Sequence, residues 1–206
     1  MKKLVVGFCG MTHLGICSAS ASISKNFQTI CYDKKEDVIN NLKLNVMSIK
    51  EPFIKEIFVE KKKLINFTNS CNDLKKCDLV YVSPDIKTDD YGESNLKELE
   101  DILETVIESI NSNAVLVILS QVPPGFTKKY TNKFKLLYYQ VETLIFGEAY
   151  NRAMFPERHI IGCEKPETSL PSSLKSFLNS FDCPIMKMSY ESAELCKISI
   201  NMCLIS

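Results

Sequence analysis

An apolar run near the start of the chain ends in a turn marked by glycines, and this feature constrains the fold more than any other. Residues 4–9 read Leu-Val-Val-Gly-Phe-Cys, and Gly10 and Gly15 follow before apolar residues continue at helical spacing. The pattern predicts a strand, a tight turn and the N-terminus of a helix. Such a turn directs backbone N–H groups and the positive end of a helix dipole at one point, which favours the binding of a phosphate.

An acidic residue lies at the distance expected of a dinucleotide-binding fold. Asp33 follows a second apolar stretch, Thr29–Tyr32, and stands 23 residues after Gly10. Dinucleotide-binding folds place an acid near this distance, where it receives the adenosine ribose hydroxyls. Thr12 replaces the middle glycine of the G-x-G-x-x-G fingerprint, so its Cβ would hold the phosphates slightly away or its hydroxyl would bond to them. Two glycines alone also occur in βα turns of other α/β proteins.

Strands and helices are predicted to alternate along the chain. Further strand-like apolar runs occupy residues 63–67, 77–82, 114–119, 138–145, 158–162 and 184–188. Helices are expected to begin near Glu36, at Glu51 with Pro52 in the first turn, after a cap at Ser94 or Asn95, and at Ser189 or Glu191. Because the clearest strands are apolar on both faces, we expect a Rossmann-like, doubly wound α/β fold with a mainly parallel sheet and helices on both faces.

Ligands of such a sheet bind at the carboxyl ends of the strands. Four segments are expected at that edge and would line one crevice: Gly10–Gly15, Asp33, Ser83–Asp85 and Ser120–Pro123. The polar stretch 85–94, which contains Asp89, Asp90 and Gly92, is predicted to be a loop beside them.

Charge and cysteine usage exclude several classes of protein. Basic and acidic residues number 25 each, so we expect neither a nucleic-acid partner nor a membrane surface. The nine cysteines form no C-x-x-C pair and the chain has two histidines, which argues against a metal site and for reduced core cysteines in a cytoplasmic protein. No apolar run approaches the roughly 18 residues of a membrane span.

The first residues allow a different interpretation. Met1-Lys2-Lys3, the apolar run and Ala19-Ser20-Ala21 together resemble a secretory signal peptide. The glycine turn and Asp33 already give this segment a place in a fold, and no cysteine pattern calls for an oxidising compartment, so we expect the segment to be structural.

Polar residues in the last third are candidates for chemistry. Glu142 falls within the predicted strand 138–145, where a buried carboxylate needs a partner or a function, although an exposed edge position is the alternative. The last helix carries Glu194, Lys197 and Asn201 at spacings of three and four residues, hence on one face. Lys197 alone would be read as an ordinary solvated lysine.

Five short motifs follow one another along the chain: Gly10–Gly15 with Asp33, Glu51-Pro52, Ser120–Gly125, Pro156–Gly162, and Ser192–Lys197 with Asn201. In this order they resemble the N-terminal part of the UDP-glucose/GDP-mannose dehydrogenase family, and the resemblance covers essentially the whole chain. It implies an NAD-binding domain over residues 1–189. Residues 190–206 would start a long interdomain helix, which is still running at the last residue without a cap.

The resemblance also implies a reaction. The family oxidises the primary alcohol of a nucleotide sugar to a carboxylate with two NAD⁺, and a cysteine captures the aldehyde as a thiohemiacetal that becomes a thioester and is hydrolysed. Glu142 matches the acid used in proton transfer and water activation. Lys197 and Asn201 match the pair that polarises the reacting oxygen, and Gln121 stands where the family has a threonine near the nicotinamide. An ammonium and an amide can stabilise oxyanion charge.

The resemblance further implies partners and a cofactor. NAD is expected to bind better than NADP, because Asp33 would repel a 2′-phosphate. The expected cofactor contacts are Gly10, Thr12, His13, Leu14, Gly15, Asp33, Ser83 and Gln121. The substrate would be of the UDP-glucose, UDP-N-acetylmannosamine or GDP-mannose type. The protein partner would be a second copy in a full-length form or a separate chain that carries the cysteine domain.

Departures from the family motifs limit what this chain can do alone. Gln140–Thr143 replaces Asn-Pro-Glu-Phe, Phe146 replaces a second glutamate, and Ile86-Lys87 replaces Thr-Pro. No cysteine stands in the family's glycine-rich motif, which lies beyond the Lys–Asn helix. We therefore expect no turnover by this chain alone, and a catalytically inactive dinucleotide-binding or interaction protein is the alternative. A Rossmann dehydrogenase of the 3-hydroxyacid type is a further one, against which the turn at Gln121 and the segment 156–162 argue.

Overall fold

The structure, a computed structural model, describes residues 3–89 and 93–205, the last two of these by their backbone alone. Within this part of the chain the strands are β1 Val5–Cys9, β2 Gln28–Tyr32, β3 Ile65–Thr68, β4 Leu79–Val82, β5 Lys87–Thr88, β6 Ser94–Asn95, β7 Val115–Ile118, β8 Leu137–Val141, β9 His159–Gly162 and β10 Ile185–Met188. The helices are α1 His13–Ser24, α2 Glu36–Lys43, α3 Ile54–Glu60, α4 Lys97–Ser109, α5 Ala149–Met154, α6 Ser172–Asn179 and α7 Tyr190–Ile205. Short 3₁₀ helices span Cys71–Lys76 and Thr127–Tyr130.

Within residues 3–89 and 93–205, eight strands form one sheet in the order β10-β9-β8-β7-β4-β1-β2-β3. Neighbouring strands are parallel except β8 and β9, which pair antiparallel. The six strands from β3 to β8 have the order of a dinucleotide-binding sheet. Strands are added outward on one side from β1 to β3 and on the other side from β4 to β8, so the topological switch point lies between β1 and β4. The expectation of a mainly parallel, doubly wound sheet is confirmed.

Helices cover both faces of the sheet. One core packs α1, α2, α3, α5 and α6 against the side chains of Val6, Phe8 and Tyr81. The other core packs α4 and the first turns of α7 against Val80, Val82 and other residues that point to the opposite face. Alternate residues of β4 therefore enter different cores, which is why the central strands are apolar throughout.

Several predicted boundaries are wrong for local reasons. The predicted strand 138–145 ends at Val141, so Glu142 follows the strand instead of lying within it. The helix expected at Glu51 begins at Ile54, because the backbone of Phe53 has a φ of +69° and interrupts the helical path. The helix expected after Ser94 or Asn95 begins at Lys97, whose N–H donates to the Asn95 side chain.

The polar stretch 85–94 is not entirely irregular. Lys87–Thr88 and Ser94–Asn95 pair as a two-residue antiparallel ladder. Residues 90–92, which include the predicted loop residues Asp90 and Gly92, lie outside the described part of the chain. Helices α5 and α6 were not predicted at all. Both are short, and α6 starts directly after Pro171.

Candidate functional site

The turn between β1 and α1 can be made only by glycine at two positions. Gly10 has a φ of +93°, and a Cβ there would approach the backbone N of Pro84 to 2.8 Å. A Cβ at Gly15 would come within 2.1 Å of the Gly10 carbonyl oxygen. The first turn of α1 therefore lies directly against the end of β1, with its N-terminus at the carboxyl edge of the sheet.

Asp33 is joined to this turn. One of its carboxylate oxygens accepts the N–H of Met11 at 2.8 Å, and the other accepts the N–H of Lys35 at 2.9 Å. The carboxylate lies at the end of β2, beside β1 in the sheet, and the residue is 8% exposed. Since each carboxylate oxygen can accept more than one hydrogen bond, Asp33 retains capacity for a pair of hydroxyls.

Thr12 uses its hydroxyl within the protein. The hydroxyl donates to the Ser83 carbonyl oxygen at 3.2 Å and accepts the N–H of Asp85 at 2.9 Å. The Asp85 carboxylate in turn accepts the N–H of His13 at 3.0 Å. The threonine that replaces glycine thus connects the turn to the segment that follows β4. The sequence predicts a contact of Thr12 with the phosphates and does not predict this connection.

Hydrogen bonds join the four segments expected to line one crevice. The Ser83 hydroxyl donates to the carbonyl oxygen of Cys9 at 3.2 Å, and the Ser120 hydroxyl donates to that of Pro84. Side-chain hydrogen bonds therefore link the end of β4 to the ends of its two neighbours, β1 and β7. The bond between Asp33 and Met11 adds the end of β2.

Four candidate catalytic residues meet beyond the end of β7. Lys197 on α7 donates from Nζ to the backbone carbonyl oxygen of Glu142 and, at 3.4 Å, to the Asn201 side-chain oxygen. The Asn201 amide donates to the Gln121 side-chain oxygen at 2.6 Å. Gln121 follows Ser120 directly, so this group adjoins the linked strand ends. Residues as far apart in sequence as 121 and 201 form one hydrogen-bonded group.

Burial shifts the pKa of both ionisable members of this group toward neutrality. Desolvation raises the pKa of the Glu142 carboxyl above its usual range, although the N–H of Thr143 and the charge of Lys197 oppose the shift. Desolvation likewise lowers the pKa of the Lys197 ammonium, opposed by the charge of Glu142. A carboxyl and an amine shifted in this way are suited to proton transfer near neutral pH.

Sequence reasoning missed the role of two other glutamates. Glu194 is fully buried, and its carboxylate accepts the N–H groups of Gly125 and Thr127. It thereby joins α7 to the turn that follows Gln121. Glu51 accepts N–H groups from Gly147 at 2.8 Å and Ala149 at 3.2 Å, and pairs with the His13 ring at 2.7 Å.

The burial of Glu51 alone would raise its pKa, but the bonds from the His13 ring and from the two amides lower the pKa below the usual value. The His13 ring also lies against Phe146, with 4.4 Å between the ring centres. The sequence marks the Glu51-Pro52 pair only as a short motif. Its contacts could not be predicted, because they join segments almost 100 residues apart.

A cavity of about 500 Å³ borders Glu142 on the face of the sheet that carries α1, α5 and α6. Ser18 and His159 line it, and within the described residues the Ser18 hydroxyl and His159 Nε2 have no hydrogen-bond partner. Burial lowers the pKa of His159 to about 4, so the ring is neutral at physiological pH. The cavity is large and polar enough to hold several waters next to Glu142.

The described residues contain no group of three or more His, Cys, Asp or Glu side chains that could hold a metal ion. All nine cysteines are thiols and form no disulfide. None of the described helices is both long enough and apolar enough to cross a membrane.

The fold and the site define a dinucleotide-binding domain of the dehydrogenase type. The central strands have the dinucleotide-binding order, a glycine turn lies at the carboxyl edge of the sheet, and an acid follows the second strand. Comparison with known proteins agrees. The family model "UDP-glucose/GDP-mannose dehydrogenase family, NAD binding domain" matches residues 4–181. The chain belongs to this family, and its cofactor is NAD. The close fit of the turn around Gly10 and Gly15 and the remaining acceptor capacity of Asp33 suit that cofactor.

Relatives and solved structures show the same similarity. UDP-glucose 6-dehydrogenase TuaD of Bacillus subtilis is 28% identical over 214 residues, which cover 98% of this chain and 45% of the relative. The structure of GDP-mannose dehydrogenase from Pseudomonas aeruginosa matches with a TM-score of 0.85 at 17% identity, over 97% of this chain and 50% of that one. UDP-D-ManNAc dehydrogenase from Pyrococcus horikoshii matches with a TM-score of 0.83 at 22% identity, over 96% and 50%. The chain thus spans about half the length of these proteins.

Proposed function

We propose that this chain supplies the NAD-binding domain of an enzyme that oxidises the primary alcohol of a nucleotide sugar to a carboxylate, as UDP-glucose 6-dehydrogenases do. The observation that carries the proposal is a hydrogen-bonded group next to the carboxyl edge of the sheet, in which the side chains of Gln121, Asn201 and Lys197 meet the backbone carbonyl oxygen of Glu142. A dinucleotide-binding domain without this chemistry has no need of a desolvated lysine and carboxyl at this place.

Each member of the group has a chemical role in the proposal. Lys197 has three N–H donors and uses two of them within the group, which leaves one for a substrate oxygen. The lysine and the Asn201 amide stabilise negative charge that develops on that oxygen. Glu142, with its raised pKa, takes up or delivers a proton. NAD supplies the hydride acceptor when it is bound, and Gln121 orients Asn201.

The proposal extends to the parts of the enzyme that these residues do not include. Residues 1–189 form the NAD-binding domain, and residues 190–206 begin a helix that leads to a second domain with the cysteine nucleophile. Relatives of about twice this length support this division. The substrate is a UDP-glucose, UDP-N-acetylmannosamine or GDP-mannose type nucleotide sugar. The nine thiols suit a cytoplasmic enzyme.

Cofactor selectivity gives the first test. We expect NAD⁺ to bind more tightly than NADP⁺, because the buried Asp33 carboxylate would repel a 2′-phosphate. Isothermal titration calorimetry with the wild type and Asp33→Ala measures both affinities. Asp33→Ala should weaken NAD⁺ binding by about tenfold or more, the scale expected for losing hydrogen bonds to a charged group. Equal affinity for the two cofactors would contradict the role given to Asp33.

Catalysis is tested in the natural source. An intact mass of roughly twice the 23.4 kDa of this chain would identify a longer enzyme. In that enzyme Lys197→Met should abolish NADH formation from the nucleotide sugar and leave NAD⁺ binding unchanged. The isolated chain should form no NADH with UDP-glucose, and measurable formation would refute the division into two domains.

A dinucleotide-binding protein without catalysis is the second candidate. Phe146, which stands where the family has a glutamate, is 82% exposed and lies on the His13 ring, and this departure favours the alternative. An intact mass of 23.4 kDa, together with NAD⁺ binding and no turnover, would support it.

A further inference from the structure

Thr12 and Asp85 hold one another across the start of α1, and we call this pair of residues the clasp. The Thr12 hydroxyl accepts the backbone N–H of Asp85, and the Asp85 carboxylate accepts the backbone N–H of His13, the first residue of α1. The Thr12 side chain therefore bonds to the backbone of Asp85, and the Asp85 side chain bonds to the backbone of the residue that follows Thr12. The two halves of the clasp come from segments more than 70 residues apart.

The position of the carboxylate decides what the clasp does. The first N–H groups of a helix have no acceptor within the helix, and with the helix dipole they favour an anion. In a dinucleotide-binding turn these donors face the pyrophosphate of the cofactor. In this chain one of them, the N–H of His13, already bonds to an anion that the protein itself supplies.

The geometry points to Asp85 as an internal competitor of the cofactor's pyrophosphate. The carboxylate bonds to the His13 N–H when no cofactor is bound, and it has to leave this donor when the pyrophosphate arrives. Asp85 therefore lowers the affinity for NAD, and Thr12 strengthens the effect by holding Asp85 in place. This inference rests on the proposed cofactor site at Gly10–Gly15.

The other carboxylates that bond to this turn in the described part of the chain add further negative charge. Asp33 adds a second negative charge through its bond to the N–H of Met11, and the buried Glu51 pairs with the His13 ring. Lys35, whose backbone N–H bonds to Asp33, has its ammonium paired with Glu98 at 2.7 Å. The clasp also accounts for the departure from the glycine fingerprint, because a glycine at position 12 would have no hydroxyl to hold Asp85.

Calorimetry with ADP, NAD⁺ and adenosine tests the inference. ADP carries the adenosine that Asp33 would recognise together with a pyrophosphate, whereas adenosine carries no phosphate. We expect Asp85→Asn and Asp85→Ala to tighten ADP and NAD⁺ binding by about fivefold, the scale of one close charge pair in a water-like dielectric, and to leave adenosine unchanged. The gain should shrink as salt rises from about 0.05 to 0.5 M, because salt screens an exposed charge.

A control variant and a second substitution complete the test. Asp101→Asn changes the net charge equally but lies on the exposed side of α4, so ADP affinity should stay as in the wild type. Thr12→Val removes the hydroxyl, and the gain from Asp85→Asn should be smaller in that background, since the two residues act together. Circular dichroism of each variant shows that the fold is kept.

The outcomes separate this inference from the proposed function. Unchanged or weaker ADP binding in both Asp85 variants, with wild-type binding measurable, would overturn the clasp as a competitor and leave the cofactor site intact. Equal gains for ADP and adenosine would also overturn it, since a competitor of the pyrophosphate cannot affect a ligand without phosphate. A lack of ADP and NAD⁺ binding in the wild type and all variants would refute the cofactor site and the inference together.

Discussion

At the scale of single residues, the Glu142 carboxyl has opposite effects on stability and on the proposed function. Burial raises the pKa of its carboxyl above the value that it has in the unfolded chain. The native state therefore holds this proton more tightly than the unfolded state does. The resulting contribution to stability is complete below the unfolded pKa and is lost as pH rises through the native pKa. Above the native pKa, the charged carboxylate destabilises the fold that uses it for proton transfer in the proposed reaction.

These opposite effects predict the direction in which Glu142→Gln changes the free energy of unfolding. The variant cannot ionise, so its free energy of unfolding should exceed that of the wild type at about pH 8 and approach it at about pH 4, near the usual pKa of a glutamate. Urea unfolding followed by circular dichroism across this range measures both proteins. Equal stability at about pH 8, or an excess that persists at about pH 4, would show that Glu142 is not desolvated as described.

At the scale of elements, one buried carboxylate fixes α7 to the sheet. Glu194 accepts hydrogen bonds from the N–H groups of Gly125 and of Thr127, the first residue of the 3₁₀ helix after Gln121. Through this contact α7 brings Lys197 and Asn201 to their partners. Glu194→Ala would leave two buried N–H groups without an acceptor.

We expect Glu194→Ala to lower the free energy of unfolding by about 2–4 kcal/mol, as estimated for two buried donors left without partners. Glu194→Gln keeps one acceptor oxygen and should lose less. Urea unfolding at neutral pH gives both values. A loss below about 1 kcal/mol in the alanine variant, within the range of an ordinary surface substitution, would mean that α7 is held mainly by its apolar contacts.

The elements also show how far the sequence could predict this molecule. Strands such as β4 and β7 were placed to within a few residues, because a run that is apolar on both faces has few other places in a fold. Glu142 was placed inside a strand that ends one residue earlier, since the sequence does not reveal where the partners of β8 stop. Helices α5 and α6 are too short for their periodicity to stand out.

The sequence predicts which residues belong to the candidate site better than it predicts the hydrogen bonds between them. Lys197, Asn201 and Gln121 were identified from motifs, and the structure joins them by hydrogen bonds. The roles of Asp85 and Glu194 depend on contacts between segments about 70 residues apart. No local pattern marks such residues, because each would pass for an ordinary exposed carboxylate until the fold brings its donors to it.

At the scale of the whole molecule, three thiols lie in the middle of the sheet. Cys9 ends β1, Cys31 lies in β2 and Cys77 precedes β4, and each is at most 3% exposed. Burial raises the pKa of all three thiols above the usual value, to about 12 for Cys77. The Cys77 thiol adds to the shifts of Cys9 and Cys31, and Asp78 adds to that of Cys77. Very little reactive thiolate therefore forms at neutral pH while the sheet is closed.

The rate at which these buried thiols are modified in the unsubstituted chain reports how often the sheet opens. A thiol reagent should modify Cys203, which is exposed on α7, within its own reaction time, whereas the three central thiols wait for the strands to separate. Mass spectrometry should show fast modification followed by a slow phase that accelerates in urea. Central thiols that react as fast as Cys203 would contradict a closed sheet. At reagent concentrations where modification is faster than reclosing, the slow phase gives the lifetime of the closed sheet without any substitution.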